Sequence, residues 1–363
     1  MQAENFINMK KLFLSLIVAA VGALGMYAQD DLVATLSHGS ELSTFSGADA
    51  LAQAYEAATD GDVITLSPGV FNAVNIEKAI TVRGAGYKPM ASNGYVSTQL
   101  VGDIRINNVP TESTSVLTFE GIHFIGSMML FGNNFAPIRF VKSRFEESVM
   151  GLGINMSAYS CIFAVSLNAS CHYNDNRSTT IKCFNCVIVK ASSSGICNNG
   201  LYFGKIVATN CLVGIYAAHW VDDSEFSNCI IISSNGSDNS PLRETCSAHN
   251  CLGINSNGTP NLFENLIDSS NVMAEGSGEA AFTPIFKTLK TLYPNPDHTP
   301  AYTETFELTE EAAATYLGYD GTQVGVYGGN MPFNANPTSP QVTKFSVNST
   351  TENGQLKVKI NVE

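Results

Sequence analysis

Charged side chains are scarce in this chain, and basic ones scarcest: 19 Lys and Arg stand against 32 Asp and Glu, a net charge of −13 over 363 residues. That balance argues against binding nucleic acid through its phosphates, which needs a Lys/Arg surface. Tryptophan occurs once. The longest apolar run, Leu12 to Leu24, is too short to span a bilayer with ease. No H-E-x-x-H, no G-x-S-x-G and no Gly-rich phosphate loop occurs. Paired C-x-x-C motifs with zinc spacing are absent too. Cys183-Phe184-Asn185-Cys186 stands alone.

The apolar run is informative in its setting. Lys10-Lys11 precede it and Met26-Tyr27-Ala28 follow, the pattern of a signal peptide cleaved after Ala28. Residues 1–8 add nothing to such a leader, so Met9 is an alternative start. The expected mature protein is soluble, without a membrane span, and secreted or held at the cell surface. Export makes disulfides chemically possible, but nine cysteines leave at least one unpaired.

What the chain has in abundance is repetition. Gly121-Ile122-His123-Phe124 is followed by Ser143-Arg144-Phe145, Ser160-Cys161-Ile162-Phe163 and Asn185-Cys186-Val187-Ile188. Asn210-Cys211-Leu212-Val213, Asn228-Cys229-Ile230-Ile231 and Asn250-Cys251-Leu252 complete the series, at intervals of 22, 17, 25, 25, 18 and 22 residues. One coil of a parallel β-helix takes about this length and lies about 4.8 Å above the last, so equivalent residues stack. Asn185, Asn210, Asn228 and Asn250 then form a corner ladder, expected to join amide to amide. Cys161, Cys186, Cys211, Cys229 and Cys251 read as a column of reduced core thiols. Disulfides between neighbouring coils are the alternative. Uneven intervals place extra residues in loops at 170–180, 191–200 and 233–243, where solenoids usually carry function.

The domain's start is also legible. Residues 48–59 put Leu51, Ala54, Tyr55 and Ala58 on one helical face, and Asp60-Gly61 end the helix. An open solenoid end exposes unpaired strand edges, so this helix is the candidate cap. Alternating apolar residues from Gly61 to Phe71 and from Ile76 to Gly86 read as the first coils. These phrases resemble the opening of pectin-lyase-like right-handed parallel β-helix proteins: a short helix, then G-D-x-I-x-L-x-P-G-x-[FY], then I-x-K-x-I-T-V-x-G-x-G. The stretch from Leu317 to Gly329, with Asp320-Gly321, Gly325, Tyr327 and Gly328-Gly329, is similar to the phrase that closes secreted bacterial β-helix repeat proteins. The resemblance spans roughly 46–335. It implies the fold, and only the fold, because that scaffold serves lyases, hydrolases and non-catalytic proteins alike.

The expected organisation is a signal peptide at 1–28, an N-terminal segment with capping helix at 29–60, a β-helix with an irregular closure at 61–335, and a linker with a β-hairpin at 336–363. The hairpin rests on two alternating strands around Asn353-Gly354.

A search for chemistry finds modest candidates. A lyase of the resembling kind would need a base and a carboxylate-held Ca²⁺ beside Lys or Arg; a hydrolase would need paired carboxylates. The best carboxylate cluster is Asp222-Asp223-Ser224-Glu225, after His219-Trp220. Its Asp-Asp is similar to the hydrolase pattern, whose Asn-Thr-Asp and Arg-x-Lys are missing. The bland alternative is a solvated acidic loop. Arg177, Lys182 and Lys205, with His172 and Tyr173 nearby, could share one face as an anion or sugar site, or stand as isolated surface cations. Trp220, Tyr202 and Tyr216 could stack on a sugar or simply fill corners. His123 reads as structural. Two functions follow as expectations. The first is an exported, non-catalytic β-helix protein in a surface, adhesive or glycan-binding role, with no cofactor. The second is a lyase or hydrolase of an acidic polysaccharide, with Ca²⁺ if a lyase.

Overall fold

The computed structural model describes residues 32–88, 97–107, 109, 115–131, 137–170, 178–193, 196–197, 202–215, 221–233, 242–255, 262–264, 266–292, 301, 304–336, 342–347 and 358–362. The leader, and most of the three loops, lie outside them. The chain forms a parallel β-solenoid of about seven turns. No helix among the described residues is long and apolar enough to cross a membrane.

Three sheets run along the solenoid. The first carries, in coil order, Val63–Leu66, Thr81–Arg83, Leu117–Glu120, Ile138–Val141, Asn155–Tyr159, Thr179–Phe184, Tyr202–Thr209, Glu225–Ser227 and Ser247–His249. The second begins at Gly69–Asn72 and ends at Val272–Met273, and the third runs from Ile104–Asn107 to Ala191–Ser193. Each coil alternates inward and outward residues, as at Ile138–Val141, where Ile138 and Phe140 are buried and Arg139 is exposed. Inward residues stack on their equivalents: the rings of Phe124, Phe145 and Phe163 lie 4.7 and 4.8 Å apart, close to the strand spacing.

The corner between the first two sheets explains the repeat. Gly121, Lys142, Ser160, Asn185, Asn210, Asn228 and Asn250 all have positive φ, between 48° and 65°. The chain turns there through a left-handed residue, which Gly and Asn adopt most easily. This corrects the alignment by one residue in one coil: the equivalents are Lys142-Ser143, not Ser143-Arg144. Strand register agrees, with Arg144 opposite both His123 and Ile162.

The next residue points inward. Cys161, Cys186, Cys211, Cys229 and Cys251 are buried free thiols, so the reduced column is the arrangement found. Each Sγ sits 3.3–3.4 Å from the carbonyl two residues back, a donor to the oxygen of Tyr159, Phe184, Thr209, Ser227 or His249. Four of them also accept the backbone N–H of the preceding coil's cysteine at 3.4 Å. Ser143 does the same with its hydroxyl, accepting from Ile122 N–H and donating to Val141 O. Burial pushes the thiols of Cys161, Cys211 and Cys251 up from their ordinary pKa.

Two elements precede the first coil. The helix Ala50–Ala57 buries Ala50, Leu51 and Ala54 against the first coils. Lys78 Nζ donates to the carbonyls of Tyr55, Glu56 and Ala58 at 2.7–3.1 Å, satisfying the helix's open C-terminus. Beyond it, the antiparallel hairpin Val33–His38 and Glu41–Ser46 extends the first sheet past Val63–Leu66. That hairpin was not expected.

A second core lies outside the solenoid. From Ile162 onward the outward residues of the second sheet are apolar: Val187, Leu212, Ile230, Ile232, Leu252 and Ile254. Phe282, Ile285, Phe286, Phe306, Val324 and Phe333 from the chain's later part cover them. This is why the repeats read Cys-Val-Ile-Val and Cys-Ile-Ile-Ile: both faces of the sheet are buried. A short helix, Glu310–Thr315, is N-capped by the Thr309 side chain. The strands Val342–Val347 and Val358–Val362 pair antiparallel as the expected hairpin.

Candidate functional site

From Leu317 the chain runs back along the asparagine corner as a strap. Tyr319 N–H donates to Asn228 Oδ1 at 3.2 Å, and Gly325 N–H to Asn228 O at 2.8 Å. Asn185 Nδ2 donates to the carbonyls of Val326 and Gly328 at 2.9 and 2.8 Å. Asn334 N–H reaches Ser160 Oγ at 3.4 Å. The expected amide-to-amide ladder therefore differs from what forms. Asn185 and Asn228 spend their amides on the strap, and the complementary pair Asn210 Oδ1 and Asn228 Nδ2 is buried and unbonded. Close approach explains the Gly-Gly of the strap: at Gly329, φ +73°, a Cβ would lie 2.2 Å from Asn210 Nδ2.

Past the corner the strap becomes a wall. Met331, Pro332 and Asn334 stand over the outer face of the first sheet and enclose a groove of about 540 Å³. Its other lining residues are Arg139, Val141, Lys142, Tyr159, Ser160, Phe184 and Asn185. Val141, Tyr159 and Phe184 are strand partners on three successive coils. The Tyr159 and Phe184 rings stack with centroids 5.1 Å apart and planes 11° off parallel. Arg139 and Lys142 bring positive charge, and among the described residues no carboxylate lines the groove. Mostly apolar walls, an aromatic platform and a few polar groups are the makings of a small-ligand or glycan cleft.

The carboxylate cluster is arranged differently. Asp222 Oδ1 lies 3.2 Å from Arg243 Nε, and Glu225 Oε1 lies 2.8 Å from Lys205 Nζ. Burial raises the Asp222 pKa, against the pull of Arg243. Asp223 occupies a left-handed turn, φ +48°, with its N–H on Thr245 Oγ1 at 3.1 Å. Each of Asp222 and Glu225 thus has its own cation, and neither lines the groove. No group of three His, Cys, Asp or Glu among the described residues is placed to hold a metal ion. Arg177, His172, Tyr173, His219, Trp220 and Tyr216 lie outside the described residues, as does the Tyr202 side chain. Lys182 is exposed on the first sheet's outer face, one strand from Val207 and one from Ser157. His123 is buried on the second sheet with Arg144, both against Glu146 at 2.8 and 2.6 Å.

Sequence reasoning missed Arg139, Lys142, Tyr159, Phe184 and the strap. A signal for the aromatics was present: the residue two before each column position faces outward. Tyr159-Ser160-Cys161 and Phe184-Asn185-Cys186 therefore place two rings side by side. Nothing local announces that residues 331–334 return to them. The chain matches no family model, no curated protein and no solved structure.

Proposed function

We propose that this is an exported, non-catalytic β-solenoid that binds glycan in the groove between the strap and the first sheet. The observation that carries the reading is the stacked Tyr159–Phe184 pair on the floor of that groove, flanked by Arg139 and Lys142. Sugar rings present apolar C–H faces and a rim of hydroxyls. The aromatic pair meets the first, and the polar side chains of Arg139, Lys142 and Asn334 meet the second. The Lys10–Ala28 leader supports a place outside the cell, where such ligands are found.

The test is a glycan array with the mature chain, repeated with the Tyr159→Ala/Phe184→Ala double variant. Binding that falls at least about tenfold in the variant, near 1.4 kcal/mol, is expected. Equal binding by both proteins would remove the groove from the account. Release of unsaturated or reducing products from a polysaccharide panel, with or without Ca²⁺, would put the lyase or hydrolase reading in its place.

A further inference from the structure

We propose that two copies of this chain join at the N-terminal ends of their solenoids, the strand Glu41–Ser46 of one pairing antiparallel with the same strand of the other, with Thr44 on the two-fold axis. That strand is the last of the first sheet. It pairs with Val33–His38 on one side and with no described strand on the other. Five of its six residues are exposed, and Leu42 keeps 71% of its surface open. Sheet edges of this length are usually blunted by Lys, Pro or a bulge. Here Glu-Leu-Ser-Thr-Phe-Ser has neither Lys nor Pro, and its register with Val33–His38 is unbroken. The opposite end of the same sheet is finished by side chains. Beside Ser247–His249, Asn271 Nδ2 donates to Ala248 O at 2.7 Å and Ser270 Oγ accepts from Asn250 N–H at 2.9 Å.

Backbone geometry fixes which groups the edge offers. The two-residue turn Gly39-Ser40 makes His38 and Glu41 a hydrogen-bonded pair, and such pairs alternate along an antiparallel ladder. Glu41, Ser43 and Phe45 therefore spend their N–H and C=O groups on Val33–His38. Gly47 N–H, next in the alternation, goes the same way, to Leu32 O at 2.9 Å. Leu42, Thr44 and Ser46 are left with N–H and C=O aimed outward.

An identical strand matches these groups without remainder. In the register centred on Thr44, Leu42 faces Ser46 of the partner subunit and Thr44 faces Thr44 of the partner subunit. Every pair joins two outward-aimed residues, so each exchanges both of its hydrogen bonds. Thr opposite Thr is itself a favourable cross-strand pair. Glu41, the strand's only charge, faces Gly47 of the partner subunit, so the two glutamates stand at opposite ends of the contact. The approach is clear as well. Gly39 and Gly47 bound the strand at φ +59° and +93°, and at each nothing lies within 4 Å of where a Cβ would be. A two-fold contact closes on itself, so assembly stops at two. A single strand pair is a small contact, of the weak and reversible class.

The test is analytical ultracentrifugation of the mature chain from about 1 μM to about 1 mM, the range in which a small interface associates. The mass is expected to rise with concentration from one chain to two and no further. Each copy carries a net charge of −13, so dimerisation should strengthen from about 20 mM to about 0.5 M salt as repulsion is screened. Thr44→Pro removes an outward N–H that Val33–His38 does not use, and should abolish the dimer. Thr44→Lys and Thr44→Glu each place like charges opposite one another on the axis and should weaken it about fivefold. An equimolar mixture of those two variants should recover the parent's affinity, which only a contact pairing residue 44 with itself can do. Hydrogen exchange should show the amides of Leu42, Thr44 and Ser46 slowing as concentration rises. A monomer at every concentration and salt would overturn the proposal, and slow exchange of those amides in such a monomer would show that another segment covers the edge. A dimer indifferent to all three variants, a mixture no tighter than either variant alone, or growth beyond two chains would overturn it too.

Discussion

Replacing Lys142 with Asn should make the protein more stable and a poorer binder. Seven coils turn the same corner through a left-handed residue, and in four of them it is Asn at φ 50–54°. Lys142 holds the same conformation at φ 48°. A residue with an ordinary side chain loses about 1–2 kcal/mol there, and Asn escapes part of this because its short amide bonds locally. The Lys142 N–H on Tyr159 O, at 2.8 Å, is a backbone contact that the substitution keeps. The net gain expected is about 1 kcal/mol. With a urea slope of about 3 kcal/mol per molar, that moves the unfolding midpoint up by roughly 0.3 M at unchanged slope. Lys142→Met is the control: it keeps the backbone cost and removes the charge. Its midpoint should match the parent's, while its affinity for glycan in the groove that Lys142 lines should fall like that of Lys142→Asn. An Asn variant no more stable than the Met variant would refute the reasoning. So would a Met variant that binds as well as the parent.

Other consequences follow from the same geometry. Gly329→Ala should cost about 2–3 kcal/mol, from backbone strain at φ +73° and a Cβ 2.2 Å from Asn210 Nδ2. Limited proteolysis should then cut within 317–336 before it cuts the coils. In the thiol column, Cys211→Val keeps the core apolar but leaves the Cys186 N–H without its acceptor, at about 1–3 kcal/mol. Cys211→Ser keeps an acceptor, as Ser143 does, so Ser should lower the thermal midpoint less than Val; the reverse order would show that the hydrogen bond is immaterial. Glu146 is pushed up by burial but pulled further down by His123 and Arg144, to about 2 from 4.5. Its folded pKa lies below its unfolded one, so the stabilisation is whole above about pH 4.5 and is lost as pH falls toward 2. Denaturation followed from pH 6 to 2 should show a loss that Glu146→Gln removes.

The coil was legible in the sequence because its corner demands two things at once. A left-handed turn selects Gly or Asn, and the position after it points into the core, where five coils bury a Cys, so Asn-Cys recurs. The one misaligned coil is where both demands are met unusually, by Lys142 and Ser143. The opening phrase was legible for a similar reason: Asp60, Asp62 and Lys78 each bond a specific backbone group, with Asp62 accepting from Thr59 N–H and Asp60 from Ala79 N–H. The groove was not legible. Its floor follows from register alone, but its wall comes from residues 331–334, about 170 positions further along the chain than Ser160. Long-range closure of this kind leaves no local pattern. The amide ladder failed for the same reason, since the acceptors for Asn185 are in the strap and not in the next coil. The cluster at Asp222–Glu225 looked chemical because its acids adjoin in sequence. In space Arg243 and Lys205 each take one of them.

The most direct measurement is a crystal structure of the mature protein with an oligosaccharide that the glycan array shows to bind. The account predicts sugar rings over Tyr159 and Phe184, walled by Met331–Asn334. An ordered glycan on another face, or beside Asp222 with the groove empty, would contradict it.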